Sequence, residues 1–118
     1  MNKIKYNFFK NSSYAIDGLI DIFRNEKSFK IELIVVVILW IVLFFMQIDF
    51  AYKSILAISL FIPLLAEIIN SSIERVVDLV TLDIHPLAKS AKDAGSAIVF
   101  GSIVVTLCIW GSVVYLIL

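Results

Sequence analysis

Cysteine, glycine and proline are scarce in this sequence, and it carries no net charge. Its one cysteine, Cys108, lies in an apolar run, so the chain has neither an intrachain disulfide nor a CxxC pair for metal or redox chemistry. The four glycines are too scattered to cradle a phosphate, and no Walker or protein-kinase glycine motif is present. Ten basic residues balance ten acidic ones, and no basic stretch alternates with aromatics, so we expect no nucleic-acid partner.

Apolar residues are what the chain has in excess. Of its 118 residues, 61% are hydrophobic, and the mean hydropathy is +1.00. A soluble domain of this length could not bury so much apolar surface, so the excess must face lipid. We therefore predict an all-α integral membrane protein that forms a single domain over residues 1–118.

Three segments are candidates for helices that cross the membrane, at residues 31–48, 54–80 and 94–118. The first is short for a bilayer span and depends on snorkelling of its flanking polar residues. The second contains Pro63, which is tolerated in a membrane helix that packs against neighbours. The third carries no charge and is long enough to cross with some tilt.

Residues 1–30 predict an amphipathic helix that lies at the membrane interface. Apolar side chains recur there at helical spacing, while the residues between them are polar: Tyr14, Leu19, Ile22 and Phe23 against Asp17, Asp21 and Arg24. The segment has no uninterrupted apolar core and no small-residue cleavage pattern, which argues against a signal peptide.

Lysine and arginine predict the orientation of the chain. Six precede the first span, and three lie between the polar C-terminal part of the second span and the start of the third, while only Lys53 lies between the first and second. The positive-inside rule then puts the N-terminus and the segment from Arg75 to Lys92 on the cytoplasmic side.

The second predicted span ends in an unusual polar stripe. Glu67, Asn70, Glu74 and Asp78 are separated by three, four and four residues, so a helix presents them on one face, with Ser71 at its edge. Ionisable groups at membrane depth cost several kcal/mol unless they are paired or functional. The stripe is therefore a candidate functional site.

The residues by themselves leave three interpretations of the stripe open. It can be a polar seam between helices, with Arg75 or Lys92 neutralising an acid, or a pathway for protons or cations, although no inverted repeat supports a carrier. It can also be a site of phosphoryl transfer, which needs carboxylates for magnesium, a cation for the phosphates and a base for the attacking hydroxyl. The candidates for those parts are Glu26, Glu67, Glu74, Lys92 and Asp93.

Two motifs resemble a known family. "EIINSSIERVVD", followed about a dozen residues later by "AKDAGSA", is similar to the signature of the prokaryotic diacylglycerol kinases, small three-helix membrane enzymes. "YAIDGL", "NEKSF" and Glu32 also fall where that family has its amphipathic helix and the acidic residues after it. The resemblance covers nearly the whole chain. It implies a homotrimer with sites between protomers, in the bacterial inner membrane.

The resemblance also implies roles for individual residues. Glu67 matches the general base that takes the proton from the lipid hydroxyl, and Asn70 matches an asparagine that orients the base or a phosphate. Glu26 and Glu74 match the ligands of a Mg²⁺ that bridges the phosphates of the co-substrate ATP. Nucleotide contacts fall on Tyr14, Asp83, Ile84, His85, Lys92 and Asp93, and lipid contacts on Ser28, Phe29, Glu32, Glu67 and Ser96.

Several of these residues also have simpler interpretations. Glu26 can be a solvated interfacial charge, Lys92 a positive-inside anchor, Tyr14 an interfacial aromatic and His85 a loop residue. One position departs from the family pattern: Asn7 stands where an arginine often contacts a phosphate. Lys3, Lys5 or Lys10 could substitute for it, but lysine lacks the bidentate fork.

The resemblance includes two lipid substrates. We expect phosphorylation of 1,2-diacylglycerol to phosphatidic acid, with undecaprenol as the alternative acceptor. "KDAGSA" favours the diacylglycerol branch, while "DLVTLDIHPLAKSAKD" also resembles the polyprenol branch. The non-enzymatic alternative is a helical membrane assembly or a proton-coupled carrier.

Overall fold

The computed structural model describes residues 7–118, which form five α-helices. These are α1 (Phe8–Asn25), α2 (Lys27–Phe45), α3 (Phe50–Ser59), α4 (Phe61–Val80) and α5 (Pro86–Ile117). Residues 1–6 lie outside the described part, and with them Lys3, Lys5 and the first residues of the predicted amphipathic segment.

Within residues 7–118, three helical segments are long and apolar enough to cross a membrane. They are α2, the consecutive pair α3 and α4 taken together, and α5. The shorter α1 precedes them and exposes one apolar face, with Leu19 and Phe23 on it and Ile22 buried against the bundle. This arrangement confirms the prediction of an all-α membrane protein with an amphipathic helix and three spans.

Local interactions explain where α1 begins and ends. The side chain of Asn7 caps its first turn, since Oδ1 accepts a hydrogen bond from the backbone N–H of Lys10 at 3.1 Å. At the other end, Glu26 has extended backbone, so it closes α1 and opens α2. The turn between the helices therefore presents the Glu26 side chain toward the bundle, where its carboxylate meets α4.

Helix α5 begins at Pro86, earlier than the predicted start of the third span at residue 94. His85 caps it, because Nδ1 accepts a hydrogen bond from the backbone N–H of Leu87 at 3.1 Å. Proline is favoured in the first turn of a helix, where its missing N–H costs nothing. The polar turns of α5 therefore project beyond the uncharged part of the helix and carry Lys89, Lys92 and Asp93.

The second span is interrupted between α3 and α4. Pro63 has no N–H to donate to the carbonyl of Ser59, and α4 begins anew at Phe61. The indole N–H of Trp110 on α5 donates to Ser59 Oγ at 2.9 Å. A side chain from a neighbouring helix thus stabilises the interruption, as membrane helices require.

The apolar core is narrow and runs along the middle of the bundle. Its buried residues are Ile22, Phe29, Val36, Leu43, Leu56, Leu60, Leu64 and Val113. Helix α5 packs mainly along α4. The polar and charged side chains gather at one end, where α1 meets α2 and the loop of residues 81–85 joins α4 to α5; we call it the polar end.

Candidate active site

The stripe on α4 leads from the interior of the bundle to the polar end. Glu67, Asn70 and Glu74 are half-buried and Asp78 is exposed. The amide of Asn70 donates to Glu74 Oε1 at 3.2 Å, one turn further along the helix. Asn70 Oδ1 is buried and receives no hydrogen bond from any residue among 7–118. An orphaned acceptor of this kind marks a place where a ligand or a water belongs.

Helix α2 adds a second carboxyl group to the inner end of the stripe. Glu32, Glu74 and Glu26 all lie close enough to Glu67 to act on its charge. Glu32 Oε1 is buried and receives no N–H or hydroxyl donor from the described residues. Four carboxyl groups from three parts of the chain therefore converge on one region; we call them the carboxylate cluster.

Arg75 joins the turn at Glu26 to α1 and α4. Its Nη2 and Nε donate to Glu26 Oε1 at 3.1 and 3.2 Å, and its Nη1 makes an ion pair with Asp21 Oδ2. The Arg75 guanidinium, with a further hydrogen bond from Asn25, holds the pKa of Asp21 below its usual value. Asp21 therefore stays ionised throughout the physiological range.

The donor set suits a hard divalent cation that keeps water and phosphate ligands. Mg²⁺ is usually held by one or two protein carboxylates together with phosphate oxygens, rather than by an all-protein cage. In residues 7–118 no group of three or more His, Cys, Asp or Glu side chains is arranged to hold a metal ion. The carboxylates of Glu26 and Glu74, which both act on the charge of Glu67, nevertheless fit this mode of binding.

A polar cavity at the start of α5 gathers the predicted nucleotide contacts. It has a volume of about 310 Å³ and is lined by Thr81, Leu82, Asp83, Ile84, His85, Ala88, Lys89, Lys92 and Asp93. Lys92 Nζ bonds to Asp78 at 2.7 Å and Lys89 Nζ to Asp93 at 2.6 Å. Five of the predicted nucleotide residues therefore share one cavity, which begins where the α4 stripe ends.

An apolar groove is lined by neighbours of Glu32 and Glu67 in sequence. It has a volume of about 730 Å³ and is lined by Leu19, Ile20, Phe23, Arg24, Phe29, Leu33, Trp40, Phe61, Leu64, Leu65 and Ile68. Glu32 lies between two of its lining residues in sequence, and so does Glu67. Apolar chains in this groove would therefore end near carboxyl groups.

Three predicted contact residues lie outside these features. Tyr14 is exposed on α1, and Ser28 and Ser96 are exposed near the starts of α2 and α5. None of the three lines the polar cavity or the apolar groove. Another predicted lipid contact, Phe29, is buried and does line the groove.

Sequence reasoning missed two features of this site. It assigned Asp21 only to the polar face of α1, although Asp21 and Glu26 share one guanidinium. It also gave no sign of the apolar groove, because the lining residues come from three helices and read as ordinary membrane-facing positions. For the shared guanidinium, the only signal in the sequence was the charge of Arg75 on the helix that carries the stripe.

The fold and the site together define a small all-α membrane protein with a carboxylate cluster, an apolar groove and a polar cavity. The family model for prokaryotic diacylglycerol kinase matches residues 13–114. The chain therefore belongs to the prokaryotic diacylglycerol kinase family, which makes it a membrane-embedded lipid kinase.

Named relatives agree with this assignment. The diacylglycerol kinase of Pseudomonas aeruginosa is 32% identical over 102 residues, which cover 86% of this chain and 83% of the relative. That of Helicobacter pylori is 36% identical over 104 residues, covering 87% and 80%. That of Escherichia coli is 33% identical over 101 residues, covering 86% and 83%.

Proposed function

We propose that this protein transfers the γ-phosphate of ATP to the hydroxyl of 1,2-diacylglycerol and so makes phosphatidic acid. The observation that carries the proposal is the location of Glu67, a half-buried member of the carboxylate cluster that is flanked along α4 by Leu65 and Ile68 of the apolar groove. A lipid hydroxyl and a nucleotide phosphate can meet only at such a boundary. The relatives that bear the name diacylglycerol kinase support the choice of acceptor.

In the proposed reaction the lipid hydroxyl attacks the γ-phosphorus in line. Glu67 takes the hydroxyl proton as the new O–P bond forms and the bond to the β–γ bridging oxygen breaks, so ADP leaves. Asn70 orients the reacting groups, since its amide N–H already holds Glu74.

Glu26 and Glu74 are the proposed magnesium ligands. Both are half-buried, and both act on the charge of Glu67. The bound ion would neutralise developing charge on the phosphate oxygens. To serve as a ligand, Glu26 has to exchange its present bonds to Arg75.

The polar cavity is the proposed nucleotide site. Lys92 and Asp93 would contact the phosphates and ribose, with the segment from Asp83 to His85 beside the base. Tyr14 completes the proposed set from α1, where it is exposed and available. The cavity opens at the polar end, which a water-soluble nucleotide can reach.

The apolar groove is the proposed site for the acyl chains. Phe29 lines it directly, and Glu32 stands beside the proposed base. Ser28 and Ser96 would contact the glycerol region near the polar end. Undecaprenol remains the alternative acceptor, since a polyprenyl chain could occupy the same groove.

The proposed setting is the bacterial inner membrane, with the polar end in the cytoplasm, where ATP is made. The distribution of lysine and arginine supports this orientation. We also propose a homotrimer with sites between protomers. The narrow core, and the many large apolar residues that one protomer leaves exposed, support an assembly within the membrane.

The test is phosphate transfer by purified protein in detergent, with diacylglycerol and undecaprenol compared side by side. We expect MgATP-dependent transfer to diacylglycerol, and a loss of about a hundredfold or more in kcat for Glu67→Gln, because general-base catalysis contributes on that scale. Asp49→Asn is the matched control: it makes the same chemical change at an exposed carboxylate at the far end of the bundle. It should keep wild-type activity.

The outcomes separate the alternatives. Transfer to undecaprenol alone would reassign the acceptor and keep the mechanism. A Glu67→Gln protein as active as wild type would remove Glu67 as the base. Well-folded wild-type protein that phosphorylates neither lipid would contradict the proposed reaction and favour a helical assembly or a carrier.

A further inference from the structure

Arg75 holds together two acidic residues at the entrance to the carboxylate cluster. Both of its bonds to Glu26 go to Oε1, at 3.1 and 3.2 Å from Nη2 and Nε, and Nη1 pairs with Asp21 on α1. Its side chain is 41% exposed and that of Glu26 is 28% exposed. The guanidinium therefore lies at the surface of the site and has room to move.

At the polar end, the structure describes two other cations in ion pairs, and neither of them pairs with the carboxylate cluster. Lys92 bonds to Asp78 and Lys89 bonds to Asp93. Among residues 7–118, Arg75 is thus the one cation in an ion pair with a member of the carboxylate cluster. The local charge balance of the cluster depends on this one side chain.

An incoming metal–nucleotide changes that balance in two ways. The Glu26 carboxylate can bind the divalent cation, which is a stronger counterion than a half-exposed guanidinium. Several phosphate charges also arrive close to α4, where Arg75 directly follows Glu74 in sequence. A guanidinium matches phosphate oxygens with paired donors and cannot lose its charge.

We propose that Arg75 is a displaceable counterion that becomes a nucleotide-binding residue. It neutralises Glu26 and Asp21 while no metal–nucleotide is bound, and it donates to the nucleotide phosphates once Glu26 turns to the metal. The inference rests on the proposed function and adds to it a competition between a side chain and a cation for one carboxylate.

In this role, loss of Arg75 changes metal affinity and nucleotide affinity in opposite directions. A purely structural ion pair, a staple between α1 and α4, would change both in the same direction. Removing a competitor of the cation should strengthen metal binding when no nucleotide is present. Removing a phosphate contact should weaken nucleotide binding. Loss of a simple staple between α1 and α4 would loosen the turn at Glu26 and weaken both together.

The experiment uses the full chain in detergent and two binding measurements that need no turnover. Mn²⁺ alone, followed by electron paramagnetic resonance, reports the metal affinity, and a non-hydrolysable ATP analogue with Mg²⁺, followed by calorimetry, reports the nucleotide affinity. Arg75→Gln is compared with Lys27→Gln, which removes the same charge from an exposed residue next to Glu26. Kinase assays of the same proteins give KM and kcat.

We expect Arg75→Gln to bind Mn²⁺ severalfold more tightly than wild type. We expect its nucleotide affinity to fall by roughly tenfold, the scale of a charge-assisted hydrogen bond, with a matching rise in KM. Lys27→Gln should leave both constants close to wild type. Arg75→Lys keeps the charge with a poorer donor geometry, so it should keep the metal affinity and lose part of the nucleotide affinity.

Equal tightening of Mn²⁺ binding in Arg75→Gln and Lys27→Gln would reduce the effect to long-range charge and overturn the proposal. If Arg75→Gln binds both Mn²⁺ and the ATP analogue more weakly, Arg75 has a purely structural role, and the proposal is overturned. If Arg75→Gln does not fold, unchanged nucleotide affinity in Arg75→Lys overturns it instead. If Arg75→Gln shows the opposite-signed effects but wild-type protein phosphorylates no lipid, the proposed function alone is contradicted.

Discussion

At the scale of single residues, one close contact between α4 and α5 involves the site itself. Gly95 is buried on α5, and a Cβ built there would collide with Oδ1 of Asn70 and touch Ile73. The missing side chain therefore makes room for the asparagine that holds Glu74. Gly95 therefore affects both the packing of α5 against α4 and the position of a residue proposed to act in the reaction.

Gly95→Ala should therefore damage both stability and activity. We expect the free energy of unfolding to fall by about 1–3 kcal/mol, as is usual when a well-packed contact is overfilled. Displacement of Asn70 should also lower kcat. Unfolding by sodium dodecyl sulfate in mixed micelles measures the first effect, and the lipid kinase assay measures the second.

Gly101→Ala is the matched control on the same helix. No atom of residues 7–118 that could obstruct a Cβ at this position lies within 4 Å of it. The substitution should leave activity unchanged and stabilise the helix by about 0.5–1 kcal/mol, because alanine has the higher helix propensity. Similar losses in both variants would contradict a specific role for the contact between Gly95 and Asn70.

The spacing of the stripe predicted which residues share one face of α4, but it did not predict which residues pair with them. Glu67, Asn70, Glu74 and Asp78 do lie on one helix, since a period of 3.6 residues is a local property. The partners of Asp78 and Glu26 are Lys92 and Arg75. These pairs join residues far apart in sequence, so only the packing of helices decided them.

At the scale of elements, the interrupted second span depends on a neighbouring helix. Ser59 Oγ donates to the carbonyl of Leu56 at 2.6 Å and accepts from Trp110 at 2.9 Å, and Thr106 Oγ1 approaches the carbonyl of Ser59 at 3.5 Å. Pro63 in the sequence predicted a lost backbone hydrogen bond. It did not predict that α5 would provide the compensating side chains.

A double-mutant cycle between Trp110→Phe and Ser59→Ala tests this interaction. We expect a coupling energy of about 0.6 kcal/mol and at most about 1.7, the range for hydrogen bonds between membrane helices. Unfolding in mixed micelles provides the four free energies.

Trp40→Phe is the comparison residue for that cycle. Its indole also donates to the second span, but to the backbone carbonyl of Ala57 at 2.9 Å. Its coupling to Ser59→Ala should therefore be smaller. A larger coupling for Trp40 than for Trp110 would count against the stabilising role of the Ser59 hydroxyl.

At the scale of the whole molecule, the proposed site residues of one protomer are distributed along the length of α4. Glu67 and Asp78 are eleven residues apart on one helix, which is about 16 Å along its axis. Lys92 is bonded to Asp78 at the outer end of this line. The proposed base and the proposed phosphate ligand could therefore work together across a boundary between protomers.

Mixed oligomers test whether the sites are shared. Glu67→Gln and Lys92→Gln chains, each expected to be inactive alone, are co-expressed with different tags and purified through both. If one protomer provides Glu67 and its neighbour Lys92, each mixed trimer regains one intact site, which is about one site in three after purification through both tags, and activity returns. If each protomer holds a whole site, every site keeps one defect, and the mixture stays inactive.

The sequence by itself determined the membrane class, the number of spans, the amphipathic first helix and the polar stripe. Composition and helical periodicity are local properties, so they can be read without a fold. The motifs also carried the family, because "EIINSSIERVVD" and "AKDAGSA" keep their order and spacing.

Only the tertiary structure decided which charges meet. The bonds from Arg75 to Glu26 and Asp21, the neighbouring carboxyl groups of Glu32 and Glu67, and the groove beside them join three or more helices. Side chains distant in sequence come together through helix packing, which burial and close approach set collectively. No local pattern contains that information.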